Sequence, residues 1–107
     1  MISTHVLDTA RGHPAEGVPV VLEHDTDGWT EVGRGVTDAD GRVRELLGGD
    51  LQDGRYRLTF DTGQYFRTVG EVPFYPEVSI VFIVAGGGHH QVPLLLSPFG
   101  YTTYRGS

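Results

Sequence analysis

Cysteine is absent from the 107 residues and so is lysine, because all eight basic residues are arginine. Without cysteine there is no disulfide framework, no thiolate nucleophile and no cysteine-type zinc site. Without lysine there is no Schiff-base chemistry. Positive charge is the minority sign: 14 Asp and Glu against 8 Arg leave −6 at pH 7. A surface of that sign argues against nucleic acid and anionic membrane as general partners. Long apolar runs are missing as well. The longest, Val78 to Ala85, is broken by Ser79 and falls far short of the about 20 residues a bilayer requires. The start, Met1-Ile2-Ser3-Thr4-His5-Val6-Leu7-Asp8, carries neither a basic leader nor an apolar stretch, and Arg105-Gly106-Ser107 is no peroxisomal signal. A cytoplasmic protein is expected.

Val, Leu, Phe and Ile together make 30 of the 107 residues, above the level of about 20% at which disorder sets in. One domain over residues 1–107 can bury a modest core without staples. Glycine, 16 residues, falls between short apolar runs and punctuates strands. The strands read as Val18 to Glu23, Trp29 to Val36, Arg42 to Leu46, Arg55 to Asp61, Val78 to Val84, Gln91 to Leu96 and Tyr101 to Tyr104, plus the one around His5. Tyr56, Leu58 and Phe60 alternate with charged neighbours and face inward. The glycines of 29–36 suggest an edge or a bulge. Val78 to Val84 is apolar on both faces, so something besides the core must cover it. Only Thr62 to Arg67 has room for a turn or two of helix. Eight strands at this spacing suggest an all-β sandwich.

Asp25-Thr26-Asp27-Gly28 and Asp38-Ala39-Asp40-Gly41 look like calcium loops at first sight. Such a loop needs a glutamate at its twelfth position, and those positions hold Val36 and Gly49; both tetrapeptides read as turns. Five histidines give no His-x-x-x-His pair, and adjacent His89 and His90 point to opposite faces of a strand, so no metal is expected. His13 and His24 sit beside turn residues and read as solvated. There is no Gly-x-Ser-x-Gly elbow, and Gly86-Gly87-Gly88 opens no helix. His5 lies inside a strand with no assigned purpose. The end, apolar and aromatic from Leu94 to Tyr104, looks built into the structure, unlike an ordinary fraying terminus.

That end carries a resemblance. Val92-Pro93-Leu94-Leu95-Leu96-Ser97-Pro98-Phe99-Gly100-Tyr101-Thr102-Thr103-Tyr104-Arg105-Gly106-Ser107 resembles the C-terminal signature of the transthyretin-related 5-hydroxyisourate hydrolases. Ser3-Thr4-His5-Val6-Leu7-Asp8-Thr9-Ala10, Gly17-Val18-Pro19-Val20, Thr37-Asp38-Ala39-Asp40-Gly41-Arg42 and Phe74-Tyr75-Pro76-Glu77 match too, so the likeness spans the chain. Transthyretin, the hormone carrier of the same fold, lacks the Tyr-Arg-Gly-Ser ending, which favours the enzyme. The resemblance implies a transthyretin-like sandwich of two four-stranded sheets with one short helix. It also implies a homotetramer, a dimer of dimers with active sites between the dimers. Another subunit would then cover Val78 to Val84.

The implied reaction opens the six-membered ring of 5-hydroxyisourate in urate breakdown. Water attacks a ring carbonyl and a C–N bond breaks, giving 2-oxo-4-hydroxy-4-carboxy-5-ureidoimidazoline, with no cofactor. Such chemistry calls for a base near neutrality and a fixed cation for the developing oxyanion, which His and Arg supply. The family pattern places the base on His5 and the cation on Arg42. Tyr104, Arg105, Gly106 and Ser107 match the tail that lines the site, Ser107 with a catalytic role. One position departs from the pattern. A second catalytic His precedes Val-Pro-Leu-Leu-Leu in the family, and here Gln91 stands there. His89 shares its face about 6.6 Å further along, and His90 points the other way. Either the loop shifts to bring a histidine in, or Gln91 positions water by hydrogen bonds without acting as a base. The competing reading is a non-catalytic transthyretin-like binder of small aromatic anions, with Gln91 marking lost chemistry.

Overall fold

β-branched and aromatic runs separated by glycine- and aspartate-rich turns fold here as nine strands and one short helix. The computed structural model describes all 107 residues. The elements are β1 (Ile2–Asp8), β2 (His13–Pro14), β3 (Pro19–Asp25), β4 (Trp29–Val36), β5 (Arg42–Leu47), β6 (Gly54–Phe60), α1 (Thr62–Thr68), β7 (Val78–Val84), β8 (His90–Ser97) and β9 (Gly100–Thr103). One sheet runs β4-β3-β6-β7, antiparallel throughout. The other runs β2-β1-β8-β9, and β5 shares with β2 the same edge of β1: β2 pairs at Leu7 and Asp8, β5 between Ile2 and His5. The second sheet is thus four strands wide. The expected two-sheet sandwich is present, and the extra strand beyond the expected eight is the two-residue β2.

Period-two alternation builds the core. β1 turns Ile2, Thr4, Val6 and Asp8 inward, β3 turns in Val20, Leu22 and His24, and β6 turns in Tyr56, Leu58 and Phe60. Seventeen buried apolar residues form one cluster between the sheets. His24 corrects the sequence reading: it is buried and stacks on Tyr56 with ring centroids 4.2 Å apart, because β3 continues to Asp25 and its alternation carries His24 into the core. The glycine-bearing β4 is an edge strand with an irregularity opposite Leu22/Glu23. α1 begins with the Asp61 side chain accepting from the Gln64 amide, the usual N-cap arrangement. Tyr65 on α1 donates its hydroxyl to fully buried Asp8 at 2.7 Å. Burial first, then that carboxylate, holds the phenol protonated well above its usual range.

β7 and β9 are each an edge strand, one in each sheet. Val81 and Ile83 of β7 are 47% and 61% exposed, and Phe74, Phe99 and Tyr104 are exposed as well. The second apolar face of Val78 to Val84 is therefore bare within one chain.

Candidate active site

The inward turn of Thr4 and Val6 sends Ser3, His5 and Leu7 of β1 to the outer face of their sheet. β8 runs parallel to β1 with Ser3 opposite Gln91 and His5 opposite Pro93, while β5 sets Arg42 opposite His5 on the other side. His5, Arg42, Ser3, Gln91 and Pro93 therefore form one patch. The turn from Asp38 to Arg42 fixes its geometry. The Asp38 side chain accepts from the amides of Asp40 and Arg42 at 2.9 and 3.0 Å. Gly41 takes φ +77°, and a Cβ there would collide with the Val6 carbonyl. The Val6 amide donates to the Gly41 carbonyl at 2.7 Å, so this turn is laid directly on β1.

The same turn sets the tautomer of His5. Nε2 lies 2.9 Å from the Asp40 carbonyl oxygen, which can only accept, so Nε2 carries a proton and the neutral ring keeps its lone pair on Nδ1. Arg42 is distinguished by what it lacks. Arg11, Arg34, Arg44, Arg55 and Arg57 each pair with a carboxylate, whereas Arg42, Arg67 and Arg105 do not. The half-buried Arg42 makes no side-chain hydrogen bond within the chain. The Asp38 carboxyl lies below its usual range chiefly because of the Arg42 amide bond, with the Asp40 amide and the Arg44 and Arg42 charges adding to it.

A cavity of about 290 Å³ opens here, lined by Met1, Ser3, Thr4, Arg42, Arg44, Glu45, His89 and Gln91. His5 stands beside it, two residues along β1 from Ser3. The tail reaches the same place. The Thr103 hydroxyl donates to the Pro93 carbonyl at 2.7 Å, and the Gly106 amide donates to the Gln91 carbonyl at 2.9 Å. A Cβ on Gly106 would lie 3.2 Å from carbons of the Gln91 and Pro93 side chains, so the tail lies close against both. Tyr104 and Arg105 line a second cavity of about 300 Å³ with Ile80, Phe82, Ile83 and His90, and Gln91 borders both. Ser107 is exposed and makes no hydrogen bond within the chain.

The structure thus brings His5, Arg42, Gln91 and Gly106 together, with Tyr104 and Arg105 on the flank. The two histidines after the glycine run separate as β-alternation requires. His90 is buried, its Nδ1 without a partner, and His89 lies on the outer face, its Nε2 2.7 Å from Ser3 Oγ. Sequence reasoning missed Ser3 and the Met1 amino group. Ser3 was within reach, since it lies two residues before His5 on the same strand face.

The family described as HIUase/Transthyretin matches residues 2–106. A 5-hydroxyisourate hydrolase of Salmonella dublin is 46% identical over 110 residues, covering 100% of this chain and 81% of that protein. Among solved structures, the 5-hydroxyisourate hydrolase of Klebsiella pneumoniae superposes with TM-score 0.89 at 39% identity over 99% of this chain and 98% of the other. Sea bream transthyretin, solved with thyroxine, superposes with TM-score 0.92 at 36% identity over 98% and 93%.

Proposed function

This chain belongs to the HIUase/transthyretin family, and we propose that it hydrolyses 5-hydroxyisourate to 2-oxo-4-hydroxy-4-carboxy-5-ureidoimidazoline. The observation that carries the reading is the pairing of His5, its Nδ1 free, with an Arg42 that has no carboxylate partner. His5 Nδ1 takes a proton from water as the water oxygen bonds to the ring carbonyl carbon. Arg42 stabilises the charge that develops on the carbonyl oxygen, its planar fork matched to a flat substrate rich in carbonyls and ring nitrogens. Gln91 orients water or substrate through its amide, which cannot titrate. Tyr104, Arg105 and Gly106 hold the substrate from the tail, and Ser107 closes the site with its hydroxyl.

The protein acts in the cytoplasm as a single domain assembled into a homotetramer, a dimer of dimers. The bare faces of β7 and β9 supply the apolar surface for assembly, and no helix is long and apolar enough to cross a membrane. The test is absorbance decay of 5-hydroxyisourate made freshly with urate oxidase. Enzyme-dependent acceleration is expected. Decay no faster than in buffer favours the carrier reading that the likeness to thyroxine-bound sea bream transthyretin keeps open.

A further inference from the structure

One side chain in the cavity has no part in that mechanism and is nevertheless held in place. His89 follows three glycines, Gly86-Gly87-Gly88, where a surface histidine would ordinarily be loose. The amino group of Met1 donates to the Gly88 carbonyl at 3.0 Å, and the His90 amide donates to the Met1 carbonyl at 2.8 Å. Both neighbours of His89 are thereby tied to the start of β1. The ring itself is held by Ser3, whose Oγ lies 2.7 Å from Nε2. Ser3 is only 5% exposed and sits in strand register opposite Gln91, so its hydroxyl is a fixed anchor. Nδ1 makes no hydrogen bond within the chain. The charged groups facing the ring are the Met1 ammonium from the start of β1 and Arg42, Arg44 and Glu45 from β5, with uncharged Gln91 from β8.

We infer that His89 is the second proton-transfer residue of this active site and Ser3 its positioning residue, an inference that rests on the hydrolase reading. Ring opening moves two protons. Water loses one as its oxygen bonds to the carbonyl carbon. The ring nitrogen gains one as the C–N bond breaks and the electron pair passes to it. Ser3 and His5 lie two residues apart on β1, about 6.6 Å along the strand, so the Ser3–His89 pair and the His5 ring serve opposite ends of one flat substrate. His5 Nδ1 takes the first proton. His89 in its imidazolium form, which Glu45 favours and the three neighbouring cations oppose, donates Nε2–H to Ser3 Oγ, gives the second proton from Nδ1 and regains it from solvent, to which His5 releases its own. Gln91 can do neither.

The experiment is the pH dependence of kcat for the full chain on 5-hydroxyisourate. The wild type should give a bell, its acid limb set by His5 and its basic limb by His89. His89→Gln, at an exposed position, should lower kcat by about 10² and abolish the basic limb while the acid limb keeps its slope of about 1. Ser3→Ala should leave KM close to wild type, shift the basic limb, and remove the protonated Nε2 signature of His89 in ring ¹H–¹⁵N spectra. An unchanged bell in His89→Gln overturns the inference and leaves the hydrolase reading standing. A wild type that does not accelerate decay removes the hydrolase reading, and the inference with it.

Discussion

Replacing Arg42 by alanine removes a cation that forms no ion pair within the chain, and the structure sets the size of the effect. At 4 Å and an effective dielectric of about 20, a full charge pair is worth about 4 kcal/mol. Arg42 is half-buried, so solvent screens part of that, and the appropriate figure is the lower end of the about 2.7–4 kcal/mol lost when one oxyanion donor is deleted. At about 1.36 kcal/mol per tenfold, kcat should fall by about 10². Arg42→Lys keeps the charge and loses the planar fork, so it should recover only part of the rate. Stability should change by no more than about 0.5 kcal/mol, because the side chain has no partner to lose. The assay pairs urate-oxidase-generated 5-hydroxyisourate decay with thermal unfolding of the same preparation. A folded Arg42→Ala variant that keeps half the wild-type kcat would remove Arg42 from the chemistry.

Deleting Tyr104 to Ser107 should abolish turnover with little loss of melting temperature, since Gly106 contributes one backbone bond to Gln91; a C-terminal tag should impair activity where an N-terminal one does not. Gly41→Ala should destabilise by more than about 1 kcal/mol, the loss expected where φ is positive and the native conformation excludes a side chain, and should show in urea unfolding as a lower midpoint. The Asp38 cap should hold the turn fully above the carboxyl's ordinary 3.8 and fail only as pH falls through the lower folded value. Arg42 and Asp40 amide shifts followed by NMR should therefore titrate below pH 3.8, and a midpoint above it would refute the cap.

The inner faces were legible because alternation is a local signal: Tyr56, Leu58 and Phe60 name their own side of β6. The same rule, extended two residues along β3, would have put His24 inside, and stopping the strand at Glu23 made it look solvated. β2 was not legible because two residues carry no period. The Asp8–Tyr65 bond joins positions 57 apart, and nothing near either residue announces the other. His5, Arg42 and the tail were picked out by resemblance, since periodicity alone gives no reason to group them. Their grouping with Ser3 and His89 follows from the parallel pairing of β1 with β8, the one parallel pair in the fold, which brings the two ends of the chain side by side. A register of that kind is a property of the assembled sheet.

The sandwich itself does not choose between hydrolase and carrier, because sea bream transthyretin superposes as closely as the Klebsiella pneumoniae hydrolase does. Function has to be argued from the groups mounted on the fold. Residue type is a poor guide even there. Arg57 is as cationic as Arg42, yet it donates to Glu23 at 3.0 Å and lies 4.4 Å from the Trp29 ring centre, so its charge and its flat face are both occupied by the protein. Arg42 is half-buried as Arg57 is and has neither partner. The outer face of the β1–β8 sheet carries no packing duty at His5, and His5 is nonetheless fixed in one tautomer by a backbone carbonyl. Groups that are positioned and yet unpaired are costly for a structure to keep unless something else completes them. On this face Arg42 lines the cavity and His5 stands beside it, opposite Arg42 in the strand register, so the two unpaired groups are open to the same side of the sheet.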